Sequence, residues 1–510
     1  MSKLFFITFL FIAVMTILRL QAGDEVLTRP MVTKADEIVL LDANRENTAP
    51  IISTLLKDGR YGYIGPTGGV FLAPIELPAK DSIPISNRSE FEAIRDNLGG
   101  SYHLVADIDL SDVEWVPIGN SLRNNTEYFS GVFDGQGYVI RNLRIKGAYE
   151  SAGLFGHAQN AVFKNIGLEG TSIDIILNAK RSGETYAYAG GLVGYSGKYD
   201  YGGYYSYPYG KTSSFSNCYN TGDISLSSIT DNTYVGGIVG YVNRLDFISY
   251  CYNTGSVSSK SNVGSAVRAY AGGIIGSYVS MNHRCFISFS YNAGSVYSFA
   301  AGTSRAGGIS SIGYMEGTLN DCYNTGDISA VSSEHGASAY GIDISSKYDY
   351  NNRYINCYSI GKVSASAPRY VNVYGVGGSG SGVYWNTEST HMVNGAVLTN
   401  EKKIGSLIEE DTTIPLTSTQ MRQQSSYTNF DFDKTWIIDP EINYGYPIFQ
   451  TQSGVKPVTE YRVTFDSVDN IGSLVAGVNK QRIASGNHIP KGTDIIFYAD
   501  QGIICSDPGG

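Results

Sequence analysis

Two short stretches decide the fold: Gly237-Ile238-Val239-Gly240, and after it Cys251-Tyr252-Asn253-Thr254-Gly255 with the alternating Ser256-Val257-Ser258. The first recurs as Gly153-Leu154-Phe155-Gly156, Gly191-Leu192-Val193-Gly194 and Gly273-Ile274-Ile275-Gly276. Copies at Gly308 and Gly341 depart from it, because Ser311 and Ile344 replace the second glycine, so the late repeats are expected to be less regular. The second recurs as Cys218-Tyr219-Asn220-Thr221-Gly222, Tyr291-Asn292-Ala293-Gly294, Cys322-Tyr323-Asn324-Thr325-Gly326 and Cys357-Tyr358-Ser359-Ile360-Gly361. Successive glycine-bounded units start 33 to 46 residues apart. Such a period holds about three strands of about 5–6 residues with their turns. A unit this small cannot bury its own apolar face, so copies must stack, each completing the core of the next. Three-stranded coils stacked in this way predict an all-β, right-handed parallel β-helix, a solenoid. The Gly, Thr, Ser and Tyr content and the lack of a 3.6-residue period argue against helical repeats. A propeller would need four strands per blade.

Composition agrees with many short strands and tight turns. Of 510 residues, 60 are Gly and 39 Tyr, and charged residues make up 16%, against about 25% in ordinary domains. The formal charge of -10 disfavours nucleic acid and anionic membranes as partners. At the amino terminus Met1-Ser2-Lys3, the apolar run Leu4 to Leu18 and the small residues at Ala22-Gly23 read as a signal peptide over 1–22. Arg19 ends the apolar run before the about 20 residues a spanning helix needs, so no transmembrane segment is expected after cleavage.

The ordered series of Gly-Leu-Val-Gly and Cys-Tyr-Asn-Thr-Gly units resembles the GLUG-motif repeats of bacterial surface and secreted proteins. The lead-in from Ile85 through Asp107-Ile108-Asp109 to Phe133-Asp134-Gly135, and the exit with Phe432-Asp433, Trp436 and Gly445-Tyr446-Pro447, are similar to the segments that flank such repeats. The resemblance covers roughly residues 82–450. It implies a secreted or cell-surface setting. It implies no ligand, since similar repeats also accompany large secreted proteases.

Solenoid ends expose strand edges and apolar core, and need covers. Ser89 begins a helical pattern with Phe91, Ile94 and Leu98 on one face and Gly99-Gly100 as a stop. Thr417 to Gln424 predicts a second short helix, with Trp436 closing the other apolar end. Residues 23–81 carry no repeat and read as a leader. From Val455 the pattern changes again, with alternation in Tyr461-Arg462-Val463-Thr464-Phe465 and Thr493 to Tyr498. The range 455–510 is expected to be an incomplete β-sandwich module.

The polar residues of the repeats read as structural. Cys218, Cys251, Cys322 and Cys357 hold equivalent places and are expected as an inward ladder of thiols, since parallel side chains give poor disulfide geometry. Asn220, Asn253, Asn292 and Asn324 are expected to bond amide to amide from coil to coil. Asp107, Asp109 and Asp112 form the densest carboxylate cluster; it suits calcium or, more simply, a strand leading into a turn. No metal and no cofactor are assigned. Gly375-Val376-Gly377-Gly378-Ser379-Gly380 matches the dinucleotide fingerprint in letters but lacks its strand–helix setting. No convergent acid, base and nucleophile is found, and no catalytic residue is assigned.

The longest period, Gly191 to Gly237, contains an insertion with Tyr195, Tyr199, Tyr201, Tyr204, Tyr205, Tyr207 and Tyr209. Solenoid insertions emerge as loops on one face, and tyrosine suits recognition. Tyr199, Tyr201, Tyr204, Tyr205, Tyr207 and Tyr209 are therefore the candidate ligand-binding residues, for a host or cell-surface protein or glycan. The sequence points to an exported, non-catalytic adhesin or binding protein. The alternative is a β-helical glycan-degrading enzyme or an accessory region of a secreted peptidase.

Overall fold

The computed structural model describes residues 78–452 apart from 120–126, 179–184, 198–212, 230, 244–246, 280–284, 315–316, 346–352, 379, 400–404, 406–411 and 441; outside that range it describes Leu72, Ala73, Ile75 and isolated strands. The signal segment 1–22 lies outside the described residues. The chain divides into two compact units, Ile75–Gln450 and a second made of Met1–Pro74 with Thr451–Gly510. Of the second unit, Ser53–Leu55, Tyr61–Ile64 and Val70–Phe71 pair antiparallel. So do Glu460–Val463 with Asn487–Pro490, and Leu474–Val478 with Gln481–Ile483 and Ile495–Ala499.

The larger unit is mostly β, built from long parallel sheets, and few helices interrupt it. One turn of the chain illustrates the repeat. Ser214–Ser216 and Tyr219–Asn220 lie in the largest sheet (sheet 1), Asp223–Ser228 in sheet 2, Asn232–Gly236 in sheet 3 and Val239–Asn243 in sheet 4; Phe247–Ser249 then returns to sheet 1. Each segment pairs in parallel with its equivalent one turn later, as in Phe215 with Ile248, Tyr219 with Tyr252, Ile224 with Val257, Tyr234 with Tyr270 and Val239 with Ile275. Sheets 1 to 4 contain 16, 9, 7 and 6 strands among the described residues. The expected three strands per coil are thus corrected to four sheets, with sheet 1 often entered twice.

The extra break comes from a backbone corner that recurs in register. Asn165, Asn217, Tyr250, Phe289, Asp321 and Asn356 all have φ between 47° and 57°, and Gly382 continues the column at 67°. Asn, Asp and Gly tolerate this left-handed region, whereas an aromatic residue there is strained. Each corner immediately precedes the Cys or its replacement; at Asn165, Asn217 and Tyr250 it splits the strand in two, whereas Phe289, Asp321, Asn356 and Gly382 lie within single strands.

Interior packing differs across the section. Phe133, Phe163, Phe215, Ile248, Ile287 and Leu319 stack inward from sheet 1, all buried, with the Phe163 and Phe215 rings 5.2 Å apart. Between sheets 2 and 3 the seam is made of small residues such as Ala187, Ala269 and Ala337. Hydroxyl pairs bridge it, Thr233 to Ser259 at 2.8 Å and Ser298 to Ser304 at 2.6 Å. Small side chains let these two sheets approach, which accounts for the Ala and Ser content.

The first cover is present. The helix, Arg88–Glu92, begins one residue before Ser89 and is capped by Asn87, whose side chain accepts from Glu90 N. Phe91 and Ile94 are buried, Leu98 only partly, and Phe91 meets Phe133 at 5.4 Å. Thr417 makes a capping box at Ser418–Met421. Trp436 does not close the end of the stack. It packs on the outside of sheet 1, where its Nε1 donates to Asp321 Oδ1 at 2.9 Å, because the chain doubles back along the coils after its last turn. The late repeats are irregular as expected, with a register shift between Ser310–Tyr314 and Asp343–Ser345.

Candidate functional site

The repeat-locked side chains form continuous columns. Asn220 Nδ2 donates to Asn253 Oδ1 at 2.9 Å, Asn253 to Asn292 at 3.0 Å and Asn292 to Asn324 at 2.8 Å. The same nitrogens also donate to Gly222, Gly255 and Gly294 carbonyls at 2.7, 2.7 and 2.8 Å. This column explains why the two sequence units travel together. A Cβ on Gly237 would lie 2.5 Å from Asn253 Cγ, and one on Gly191 2.6 Å from the Gly237 carbonyl. Glycine at the sheet 3–sheet 4 bend lets backbone and amide ladder meet.

Cys218, Cys251, Cys322 and Cys357 carry free, buried thiols in one column, with Ser290 in the place between Cys251 and Cys322. Each sulfur donates to the carbonyl two residues earlier, at 3.2, 3.3, 3.4 and 3.3 Å, and Ser290 does the same at 2.7 Å. Burial pushes the Cys218 and Cys322 thiols well up, which leaves them inert as nucleophiles. Cys285 is buried on a different column.

On the outer side of sheet 1 the tyrosines stack. Successive rings from Tyr219 through Tyr252, Tyr291 and Tyr323 to Tyr358 lie 4.9, 4.8, 4.7 and 5.1 Å apart, within 7° of parallel. Tyr219 donates to Glu169 Oε1 at 2.9 Å, and Glu169 faces Arg141 at 3.4 Å. Burial raises the Glu169 carboxyl, opposed by the Tyr219 bond and the Arg141 charge.

A second aromatic cluster, missed in the sequence, fills the outer angle between sheets 3 and 4. Tyr188, Tyr234 and Tyr270 stack at 5.5 and 4.9 Å, Tyr195 and Tyr241 at 5.5 Å, and Tyr188 meets Tyr195 edge-on at 4.9 Å. Arg305 follows Tyr270 in the same column, 5.9 Å from its ring centroid. The signal was available as a tyrosine two or three residues before each glycine pair, in Tyr188-Ala189-Gly190-Gly191, Tyr234-Val235-Gly236-Gly237 and Tyr270-Ala271-Gly272-Gly273. Tyr195 belongs to this cluster and to the strand Val193–Ser196, not to a projecting loop. Tyr199, Tyr201, Tyr204, Tyr205, Tyr207 and Tyr209 lie outside the described residues.

The aspartates read as possible calcium ligands are engaged with the backbone and one another's neighbours. Asp107 accepts from Val139 N at 3.0 Å and pairs with Arg141 at 2.9 Å. Asp109 accepts from Ser111 N at 3.0 Å and Asn142 at 2.8 Å, bonds that lower its carboxyl. Asp112 is an exposed turn residue. Among the described residues no three metal-capable side chains converge. The stretch from Gly375 leads into the strand Gly380–Asn386, not a helix, so it lacks the setting a dinucleotide site requires. No helix among the described residues is long and apolar enough to cross a membrane.

No family model and no curated protein matches the chain. Solved structures similar to it include two immunoglobulin A1 protease-like proteins. One, from Bacteroides ovatus and provisionally described as an immunoglobulin A1 protease, has 20% identity and a TM-score of 0.45, covering 73% of this chain and 94% of its own. The other, an IgA1 protease, has 13% identity and a TM-score of 0.40, covering 82% of this chain; this chain spans 28% of that protein. Likeness at this level carries no argument about fold or activity.

Proposed function

We propose that this chain is a rigid, non-catalytic β-helical scaffold of an exported protein, related to the GLUG-motif repeat proteins by the residues quoted above. One observation carries the reading. The polar side chains locked to the repeat, the asparagines, cysteines and tyrosines, are engaged in coil-to-coil bonding and stacking and present no reactive group. A closed, right-handed helix is part of the proposal, since parallel strands joined through a crossover follow that hand in nearly all cases. The antiparallel strands beyond Glu460 are proposed as a sandwich module.

The scaffold has two settings. As an accessory region of a secreted peptidase it would hold a catalytic domain elsewhere in the protein; the names of the two similar structures accord with this setting rather than with an adhesin, but at those TM-scores they add no weight. As an adhesin it would bind a host or cell-surface protein or glycan through Tyr199, Tyr201, Tyr204, Tyr205, Tyr207 and Tyr209. Incubating the chain with peptide and polysaccharide panels is expected to give no turnover; turnover abolished by a single substitution in residues 78–450 would overturn the scaffold reading. Replacing Tyr204 and Tyr205 with Ala separates the settings. Loss of adhesion with an unchanged thermal transition supports the adhesin, and unchanged adhesion removes that site.

A further inference from the structure

After the last coil the chain returns along the outside of the stack. Trp436–Ile438 and Pro447–Phe449 form an antiparallel pair that, among the described strands, bonds only within itself. The segment carries its own frame: Trp436 N and Thr435 N donate to Asp431 O at 2.9 and 3.0 Å, and Gln450 N donates to Thr435 O at 2.8 Å. Side chains, not a strand ladder, hold it to the coils. Trp436 lies 6.0 Å from both Tyr323 and Tyr358, Phe449 5.4 Å from Tyr323, and Phe430 5.5 Å from Tyr384. Polar anchors add to these contacts, among them Trp436 Nε1 to Asp321, Asn443 Nδ2 to the Tyr358 hydroxyl at 3.1 Å, that hydroxyl to the Pro447 carbonyl, Thr428 N to the Tyr384 hydroxyl at 2.9 Å, Asn429 Nδ2 to the Ser381 hydroxyl at 2.9 Å and Asn386 Nδ2 to the Tyr446 hydroxyl at 3.3 Å.

We propose that the described residues of 427–440 and 442–450 form a latch that opens and closes as one cooperative unit on an already formed stack, and that opening uncovers the tyrosine ladder from Tyr291 to Tyr384. The coils beneath do not depend on it. Each strand there is paired on both sides by parallel ladders, as Gly317–Asn324 is with Cys285–Asn292 and Arg353–Ser359. The rings of the ladder are aligned by their own stacking, 1° and 2° from parallel at Tyr291–Tyr323 and Tyr323–Tyr358. Releasing the latch therefore breaks no coil-to-coil backbone bond. A segment with a private hydrogen-bond frame, held to the coils by bonds that each involve a side chain and by no strand ladder, has the makings of a separate unit of local opening.

Native-state hydrogen exchange on the full chain tests this. The amides of Thr435 and Gln450 are expected to exchange together, about tenfold or more faster than those of Thr254 and Ile360, which bond to Asn220 and Asn324 carbonyls in the coils. Trp436→Ala should accelerate the latch amides by about tenfold or more while the coil amides stay within about twofold. Phe449→Leu, a milder change, should act in the same direction. Coil amides that accelerate in step with the latch, latch amides that keep full protection in both variants, or failure of both variants to fold would each overturn the proposal.

Discussion

Replacing Asn253 with Ala probes the ladder at its centre. The side chain is fully buried; it accepts from Asn220, donates to Asn292 and donates to Gly255 O. Truncation leaves one Asn220 N–H, one Asn292 oxygen lone pair and the Gly255 carbonyl without that partner. Asn220 and Asn292 keep their own bonds to Gly222 and Gly294. A buried polar group left unsatisfied costs about 1–3 kcal/mol, so the expected loss is about 3–5 kcal/mol once partial relaxation is allowed. Asn253→Ser should cost less, because Ser359 already ends the column, accepting from Asn324 at 3.5 Å. The assay is urea unfolding followed by far-ultraviolet circular dichroism, read together with amide exchange at Thr254, because weakened solenoids open coil by coil. Ser258→Ala, on the outer face of sheet 2, is the control. A loss for Asn253→Ala below about 1 kcal/mol, or equal to the control, would refute the claim that the amide ladder holds adjacent coils together.

Four further outcomes follow from the same geometry. Gly237→Ala should destabilise by about 2–3 kcal/mol in the same assay, because its Cβ would press on Asn253 and on the Gly273 carbonyl of the next coil; a neutral result would mean that the bend can open. Cys251→Ser should cost about 1 kcal/mol or less, since Ser290 makes the same bond one coil on. Thiol titration of the denatured, unreduced chain should recover the ladder cysteines, and recovery of none would show disulfides instead. Asp321→Asn should leave the latch intact and flatten the acid limb of the stability curve. Burial raises the Asp321 carboxyl, against the hydrogen bonds from Trp436, Asn356 and Asn320, and Asp431 adds to the rise. A raised folded value means stability that is present below the ordinary value of about 3.9 and lost as pH rises through the folded value. Asn removes that loss while keeping an oxygen for Trp436 and a residue suited to the left-handed corner. Glu169 is raised in the same sense and leaves a residual slope, so an unchanged acid limb in Asp321→Asn would contradict the assignment.

Much of the parallel stacking was legible because an in-register stack makes equivalent repeat positions spatial neighbours. The recurrence of Asn220, Asn253, Asn292 and Asn324, and of the cysteines beside them, therefore encoded contacts directly, and hydrogen bonding confirms the amide column. The departures at Ser311 and Ile344 likewise foretold the irregular register late in sheet 4. The candidate site was less legible. Tyr195 was read with the insertion because tyrosines surround it in sequence, but the strand through Val193–Ser196 places its ring beside Tyr188 and Tyr241. The recurring bend within sheet 1 depended on corner residues as unlike as Asn217, Tyr250 and Phe289, which share a backbone conformation and no side-chain chemistry. Repetition by itself thus determined the stacking and the ladders, since both depend only on sequence separation by one period. Tertiary structure alone decided where Trp436 lies, because a non-repeated residue has no register to fix its neighbour, and its place beside Asp321 is set by the path of the returning chain.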